Sequence, residues 1–283
     1  MFSRIAILGT GLIGGSFGLA LRHAAPQAWR VGWDRRGNLN AATRRGAVDE
    51  GTTRLGDALR GADLIYIALP VCTAMELLPR IAAAAEREAL VTDACSTKAA
   101  ICAQAKKLFR RSAMFLGGHP LAGRERGGME SADAALFSGA PYVLAEKRKP
   151  GDGRAKKFLR LLRAIGARPV WVEAAAHDLA LAWLSHAPQL VVTALAAAIE
   201  MRRKRGGVPV SLAGSGLRDS LRLAGSPADI WSNIARTNHR EISTAVDAVV
   251  ASLRDVRRRL ARGTLRTEFS AANALYKALS PRR

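Results

Sequence analysis

A chain of 283 residues, 49% hydrophobic and 24% charged, can bury two modest cores and is too apolar to stay disordered. Its formal charge of +21, from 44 Lys and Arg against 23 Asp and Glu, would attract polyanions. The basic residues are scattered, however, in short groups at Arg35-Arg36, Arg44-Arg45, Lys106–Arg111, Lys147–Lys149, Arg202–Arg205 and Arg257–Arg259. Phe109 is the one aromatic within these groups and no zinc-finger or RNA-recognition signature occurs, so a solvated basic surface is expected and no nucleic-acid partner. Cys72, Cys95 and Cys102 form no CxxC pair, which fits a reducing compartment and no metal site. Residues 5–21 are uncharged, but five glycines interrupt them, and the apolar run Ala187–Ile199 is too short to span a bilayer. A cytoplasmic protein without membrane contact is expected.

The run Arg4–Leu8 reads as a strand buried on both faces, followed by a Gly-rich turn and a helix over Ile13–His23 that Pro26 ends. Trp29–Trp33 is the next strand, Leu39–Arg45 a helix, and Ala47–Gly51 a short strand and turn. Leu55–Arg60 reads as a helix and Leu64–Leu69 as a strand stopped by Pro70. The helix Thr73–Glu86, strand Leu90–Ala94, helix Lys98–Phe109 and strand Met114–Gly117 continue the alternation. Strands at Tyr142–Ala145 and Pro169–Glu173 follow, with a polar turn at Lys147–Gly153 and a helix at Arg154–Ile165 between them. Such alternation predicts an α/β fold of the Rossmann type, a doubly wound, mainly parallel sheet. Beyond Ala174 only helices are expected. Asp178–Arg205 is one, broken by Pro188 and closed by Gly206-Gly207. Others lie near Leu217–Leu223, Pro227–Leu260 and Ser270–Leu279. The expected division is 1–174 for the sheet unit and 175–283 for an all-α unit, whose Ala- and Leu-rich faces suit dimerisation.

Gly9-Thr10-Gly11-Leu12-Ile13-Gly14 lies between the first strand and its helix, the context that GxGxxG requires. Gly9 permits a tight turn, Gly11 lets the backbone approach a pyrophosphate, and Gly14 allows close helix–strand contact. Leu12 and Ile13 open the helix, whose N-terminus offers amide donors and a positive dipole end. Asp34 lies twenty residues beyond Gly14, where a carboxylate would accept ribose hydroxyls and repel a 2′-phosphate. NAD is therefore expected, with NADP open because Arg35 and Arg36 follow at once.

A Rossmann fold names no substrate; polar residues at strand ends do. Three segments qualify: Asp93–Lys98, Gly117–Gly123 and Ser185–Pro188. With these the sequence resembles the prephenate/arogenate dehydrogenase family of tyrosine biosynthesis over nearly its whole length. The resemblance runs through GTGLIGGS at 9–16, VGWDR at 31–35, ALPV at 68–71, DACSTK at 93–98 and GGHPLAG at 117–123. It continues with FSGAPYVL at 137–144, the HD…SHAPQ stretch from 177 to 189, and GLRDSLRLAGSPADIW at 216–231.

The resemblance implies an oxidative decarboxylation, with hydride leaving a cyclohexadienol for the nicotinamide as the ring carboxylate departs and the ring becomes aromatic. It implies His119 as acceptor of the 4-hydroxyl proton, the other reading being a loop histidine packed before Pro120. Ser96 would bond the same hydroxyl or orient His119; a helix N-cap is its alternative role. Leu69 and Pro70 fall on the cofactor side. His186 is implied in substrate binding, against a satisfied core histidine, and Pro188 should kink its helix. Arg222 aligns with the ring-carboxylate arginine and Arg218 shares its helix face, against pairing with Asp219 or solvent. Trp231 aligns with a tryptophan near a dimeric active site, and core packing accounts for it equally well. The expected partners are prephenate or arogenate and a second copy of the chain. Nothing in the 283 residues reads as a regulatory domain or fused mutase, so tyrosine feedback through a separate sensor is not expected.

The competing enzymatic reading is another Rossmann dehydrogenase, of the 3-hydroxyacid or imine type. It needs a catalytic Lys or Asp in the helical unit, and Lys98 and Asp178 are the candidates. A non-catalytic NAD-sensing or nucleic-acid-binding protein is a third reading, carried by the charge alone.

Overall fold

The structure, a computed structural model, describes residues 1–109, 113–124, 126–146 and 151–279. The basic positions 110–111 and 147–149, and much of the polar turn expected at 147–153, lie outside the described residues.

The first unit runs β1 (Arg4–Leu8), α1 (Leu12–Ala24), β2 (Trp29–Trp33), α2 (Arg36–Arg44), β3 (Glu50–Thr52), α3 (Leu55–Leu59), β4 (Leu64–Ile67), α4 (Val71–Ala84), β5 (Leu90–Asp93), α5 (Ala99–Leu108) and β6 (Met114–Leu116). Its six strands are parallel in the order β3-β2-β1-β4-β5-β6. Side chains along each strand alternate between two cores. Ile5, Ile7, Leu64 and Tyr66 pack with Phe17 and Leu21 of α1, whereas Ala6, Leu8, Ile65 and Ile67 pack with Leu78 and Ile81 of α4. Burial on both faces explains why these strands are continuous apolar runs. The strand order reverses between β1 and β4, and the crevice at their carboxyl ends is where such sheets bind ligands.

One departure from the expected single sheet matters for the site. β7 (Gly118–Pro120), β8 (Pro141–Leu144) and β9 (Arg168–Trp171) form a separate three-stranded sheet, β7 antiparallel and β9 parallel to β8, with α6 (Gly153–Ala164) between β8 and β9. It is tied to the main sheet where the Gly118 N–H donates to Asp93 Oδ1 at 3.0 Å and the Tyr142 and Tyr66 hydroxyls meet at 3.3 Å.

The remaining chain is helical. α7 (Ala174–Leu181), one wide π turn at Ala182–His186 and α8 (Ala187–Lys204) make a continuous helix. The kink expected at Pro188 is resolved by that turn, which widens the hydrogen-bond spacing just before the proline, whose ring conflicts with the carbonyl four residues back. After it come α9 (Ser215–Ser220), a 3-10 turn at Leu221–Gly225, α10 (Ala228–Thr237), α11 (His239–Leu260) and α12 (Arg266–Leu279). The stretch expected to be helical from Pro227 to Leu260 is thus two helices, interrupted at Asn238, whose side chain turns inward to the Asp178 carbonyl. Ala174–Lys204, 31 residues long with a mean hydropathy of 1.4 in its most apolar 18-residue window, is long and apolar enough to cross a membrane, although the run 187–199 alone is too short. Only 22% of its most apolar window is buried within the protomer, and Leu184 and Leu212 are 72% and 81% exposed.

Candidate active site

The turn after β1 is shaped by its glycines. Gly9 sits at φ +93°, and a Cβ there would lie 2.4 Å from the Ala68 carbonyl oxygen. A Cβ on Gly14 would come within 1.9 Å of the Gly9 oxygen, whereas one on Gly11 would meet nothing within 4 Å. The first two positions pack backbone on backbone, and the third leaves a bare face where a ligand can approach.

Asp34 braces the same turn. Its Oδ2 accepts the Thr10 N–H at 2.7 Å and the Thr10 hydroxyl at 3.0 Å. Its Oδ1 accepts the Arg35 N–H at 2.7 Å and the Asn38 amide at 2.9 Å. Four donors fill the usual acceptor capacity of a carboxylate. Before any ribose arrives, Asp34 already fixes the loop.

A cavity of about 380 Å³ opens beside this turn. Gly11, Leu12, Ile13, Leu69, Pro70 and Ser96 line it from the sheet unit, and Pro227, Ile230, Asn233 and Ile234 from the helical one. Arg124 is the one charged side chain among its described lining residues, held by Asp133 at 2.5 Å. The Cys72 N–H donates to Asn233 Oδ1 at 3.2 Å, which joins the two units across the cavity.

His119 stands at the centre of β7, one residue from the bond that ties Gly118 to Asp93 at the end of β5. Its Nδ1 lies 2.9 Å from His177 Nε2, and His177 Nδ1 lies 2.7 Å from Asp178 Oδ1. Asp178 also accepts the Lys98 and Ala99 N–H groups at 2.7 and 2.8 Å, so it caps α5 from another helix. That takes the capping role expected of Ser96, whose remaining part is at the cavity wall. His177 and Asp178 are buried. Burial first, then His177, Lys98 and His186, hold the His119 imidazole well below its ordinary 6.5.

His119 is not among the residues that line the cavity, and other expected residues also lie elsewhere. His186 is buried in the small core of the helical unit, where Asn238 Nδ2 meets its Nδ1 at 3.3 Å and Trp231 packs edge-on at 6.0 Å. Burial pushes the His186 pKa down to about 4. Arg218 and Arg222 are exposed on α9 and the 3-10 turn, and neither lines the cavity. Lys98 and Asp178, which the competing dehydrogenase reading needs free for catalysis, are committed: Lys98 pairs with Asp93 in full burial, and Asp178 holds three donors. The sequence reading passed over His177, Arg124 and Asn233. A signal existed for the first two, since His177 opens the HD pair and Arg124 follows GGHPLAG directly.

Comparison with known proteins bears on all of this. Residues 17–171 match the family description "Prephenate dehydrogenase, nucleotide-binding domain", and residues 173–271 match "Prephenate dehydrogenase, dimerization domain". The prephenate dehydrogenase of Lactococcus lactis is 33% identical over 237 residues, covering 83% of this chain and 65% of the relative, so the chain spans just under two thirds of that protein's length. The structure of prephenate dehydrogenase from A. aeolicus in complex with hydroxyphenyl propionate and NAD+ is 25% identical, with a TM-score of 0.86 over 98% of this chain and 97% of that one. Synechocystis arogenate dehydrogenase is 27% identical, with a TM-score of 0.78 over 98% and 100%. The sheet unit and the helical unit each match their counterpart in order, and the chain belongs to the prephenate dehydrogenase family.

Proposed function

We propose that the chain is an NAD-dependent dehydrogenase that oxidatively decarboxylates prephenate or arogenate, giving 4-hydroxyphenylpyruvate or tyrosine. The observation that carries this reading is the cavity that runs from the Gly11 face of the phosphate turn past Ser96 to α10, within a family whose named members perform that reaction. The residues fit a dinucleotide: Gly11 leaves room for pyrophosphate, Leu69 and Pro70 form an apolar wall, and Asp34, bonded to Thr10 of the turn, would stand with Arg35 at the ribose end. NAD supplies the hydride acceptor, and NADP is the less favoured alternative.

The chain's own part is positioning and proton transfer. A neutral His119 accepts the 4-hydroxyl proton as hydride leaves the carbinol carbon, and Ser96 orients that hydroxyl. Loss of the ring carboxylate as carbon dioxide leaves the electron pair in the aromatic ring. Arg124 offers a guanidinium at the cavity wall, and Arg222 with Arg218 is the carboxylate partner that the family resemblance suggests. His186 packs on Trp231 and so braces α10, whose Ile230, Asn233 and Ile234 line the cavity where the substrate would sit.

We divide the chain at residue 174, where α7 begins, and assign the helical unit to a cytoplasmic homodimer. The exposed apolar length of Ala174–Lys204 and the match to a dimerization domain support that assembly. A steady-state assay of prephenate and arogenate, each with NAD and NADP, tests the activity; no reduced nicotinamide in any combination rejects it.

A further inference from the structure

Asp178, His177 and His119 form a linear array that reaches from the cap of α5 to the middle of β7, with separations of 2.7 and 2.9 Å. Each link constrains the next. Asp178 already takes backbone N–H donors at both oxygens, an arrangement that suits an ionised carboxylate and leaves it only acceptor capacity. The nitrogen facing it, His177 Nδ1, must therefore carry a proton. A neutral His177 then has a bare Nε2, and that nitrogen faces His119 Nδ1. For the contact to be a hydrogen bond, Nδ1 of His119 must be the donor. Nε2 of His119 is left without a proton.

We infer that His177 and Asp178 are positioning residues that fix His119 in the tautomer with a bare Nε2, the form able to take a proton from a substrate hydroxyl. The inference deepens the proposed reaction and rests on it only for the identity of that hydroxyl. An imidazole left to itself in water prefers the opposite tautomer, with the proton on Nε2, and would present a donor where the reaction needs an acceptor. The array has a second consequence. When His119 Nε2 takes the hydroxyl proton, its Nδ1–H still donates to His177 Nε2, and the positive charge stays on His119, stabilised through the polarised His177 by the Asp178 carboxylate. The groups that face His119 are His177, His186 and Lys98, and the Lys98 charge is matched by Asp93, so Asp178 is the carboxylate that answers the imidazolium.

The test reads the tautomer directly. A two-bond proton–nitrogen correlation spectrum of the full chain, labelled with nitrogen-15 in its five histidines, is recorded at pH 8 without ligand, and the His119 signals are identified by their loss in His119→Asn. The expected result is a protonated Nδ1 and a bare Nε2. His177→Leu is expected to move the proton to Nε2 and lower kcat about 100-fold, with KM within about threefold. His177→Gln, which keeps an acceptor toward His119 and a donor toward Asp178, is expected to restore the tautomer and bring kcat to within about tenfold. A proton on Nε2 in the unsubstituted chain overturns the inference, and so does a folded His177→Leu variant with full kcat. Should the leucine variant not fold, the unsubstituted spectrum and the glutamine variant decide. Should neither substrate turn over, the spectrum still decides, and the failure belongs to the proposed reaction.

Discussion

The carboxylate of Asp178, on α7, accepts the backbone N–H of Lys98 at the start of α5, 2.7 Å away. A side chain of the helical unit thereby closes a helix of the sheet unit, and the same carboxylate holds His177. Removing it leaves a buried amide, a part-buried amide and an imidazole N–H without this acceptor. Asp178→Ala is expected to cost roughly 3 kcal/mol of folding stability, read as a lowered urea midpoint. An unchanged midpoint would mean that the interface between the units does not depend on this cap.

Asp34 is bonded to Thr10 twice and to Arg35 and Asn38 once each, so it shapes the loop beside which the ribose is proposed to bind. Asp34→Ser is expected to bring the NAD and NADP specificity constants closer and to raise KM for NAD about tenfold. Steady-state kinetics with both cofactors check this. A constant cofactor ratio places selectivity elsewhere in the pocket.

His119→Asn removes the proton acceptor and leaves the phosphate turn intact. Turnover is expected to fall at least about 100-fold while NAD still binds, as fluorescence titration would register. Because burial foremost, then His177, Lys98 and His186, holds the imidazole well below 6.5, the acid limb of the kcat profile is expected below that value. Full turnover in the asparagine variant removes His119 from the chemistry.

Arg124 borders the cavity, whereas Arg222 is exposed on the 3-10 turn. A guanidinium that holds the substrate's carboxylate is worth about 2 kcal/mol, so its loss raises KM roughly 30-fold with little change in kcat. Comparing Arg124→Ala with Arg222→Ala shows which cation serves. If neither variant shifts KM, carboxylate binding by these arginines is discarded.

Acid stability follows from the buried histidines. Unfolded, His186 takes up its proton near 6.5; in the fold, burial foremost and His177 next oppose protonation, Asp178 favours it, and the pKa is about 4. His119 is lowered in the same direction. The unfolded chain therefore binds more protons between these values, and stability, complete above about 6.5, falls as pH drops toward 4. Urea midpoints at stepped pH should trace this fall, and His186→Gln should flatten it. A pH-independent midpoint across the window contradicts the assignment.

Local signals were legible in the sequence and distant ones were not. The turn Gly9–Gly14 and the strands β1 and β2 depend on neighbours within a few residues, so their bounds could be read from glycine spacing and apolar runs. β7 is three residues long and gains its identity from pairing with β8, more than twenty residues on, and no periodicity of its own betrays it. The union of His119 with His177 spans 58 positions and needs both sheets in place. Ser96 and Asp178 illustrate competition: either could cap α5, and only the packing of α7 against α5 decides. Arg222 was placed by family pattern, and no local signal in the sequence told that it would lie exposed on the 3-10 turn, away from the cavity.

Since the turn between β1 and α1 is braced by internal donors, its shape is settled when the chain folds and not when a ligand lands. Docking there freezes no backbone, and the ordering entropy that a slack loop would subtract from affinity does not arise. Empty and occupied forms are then expected to share one loop geometry, and in the proposed reaction spent cofactor would exchange for fresh without rebuilding the cradle.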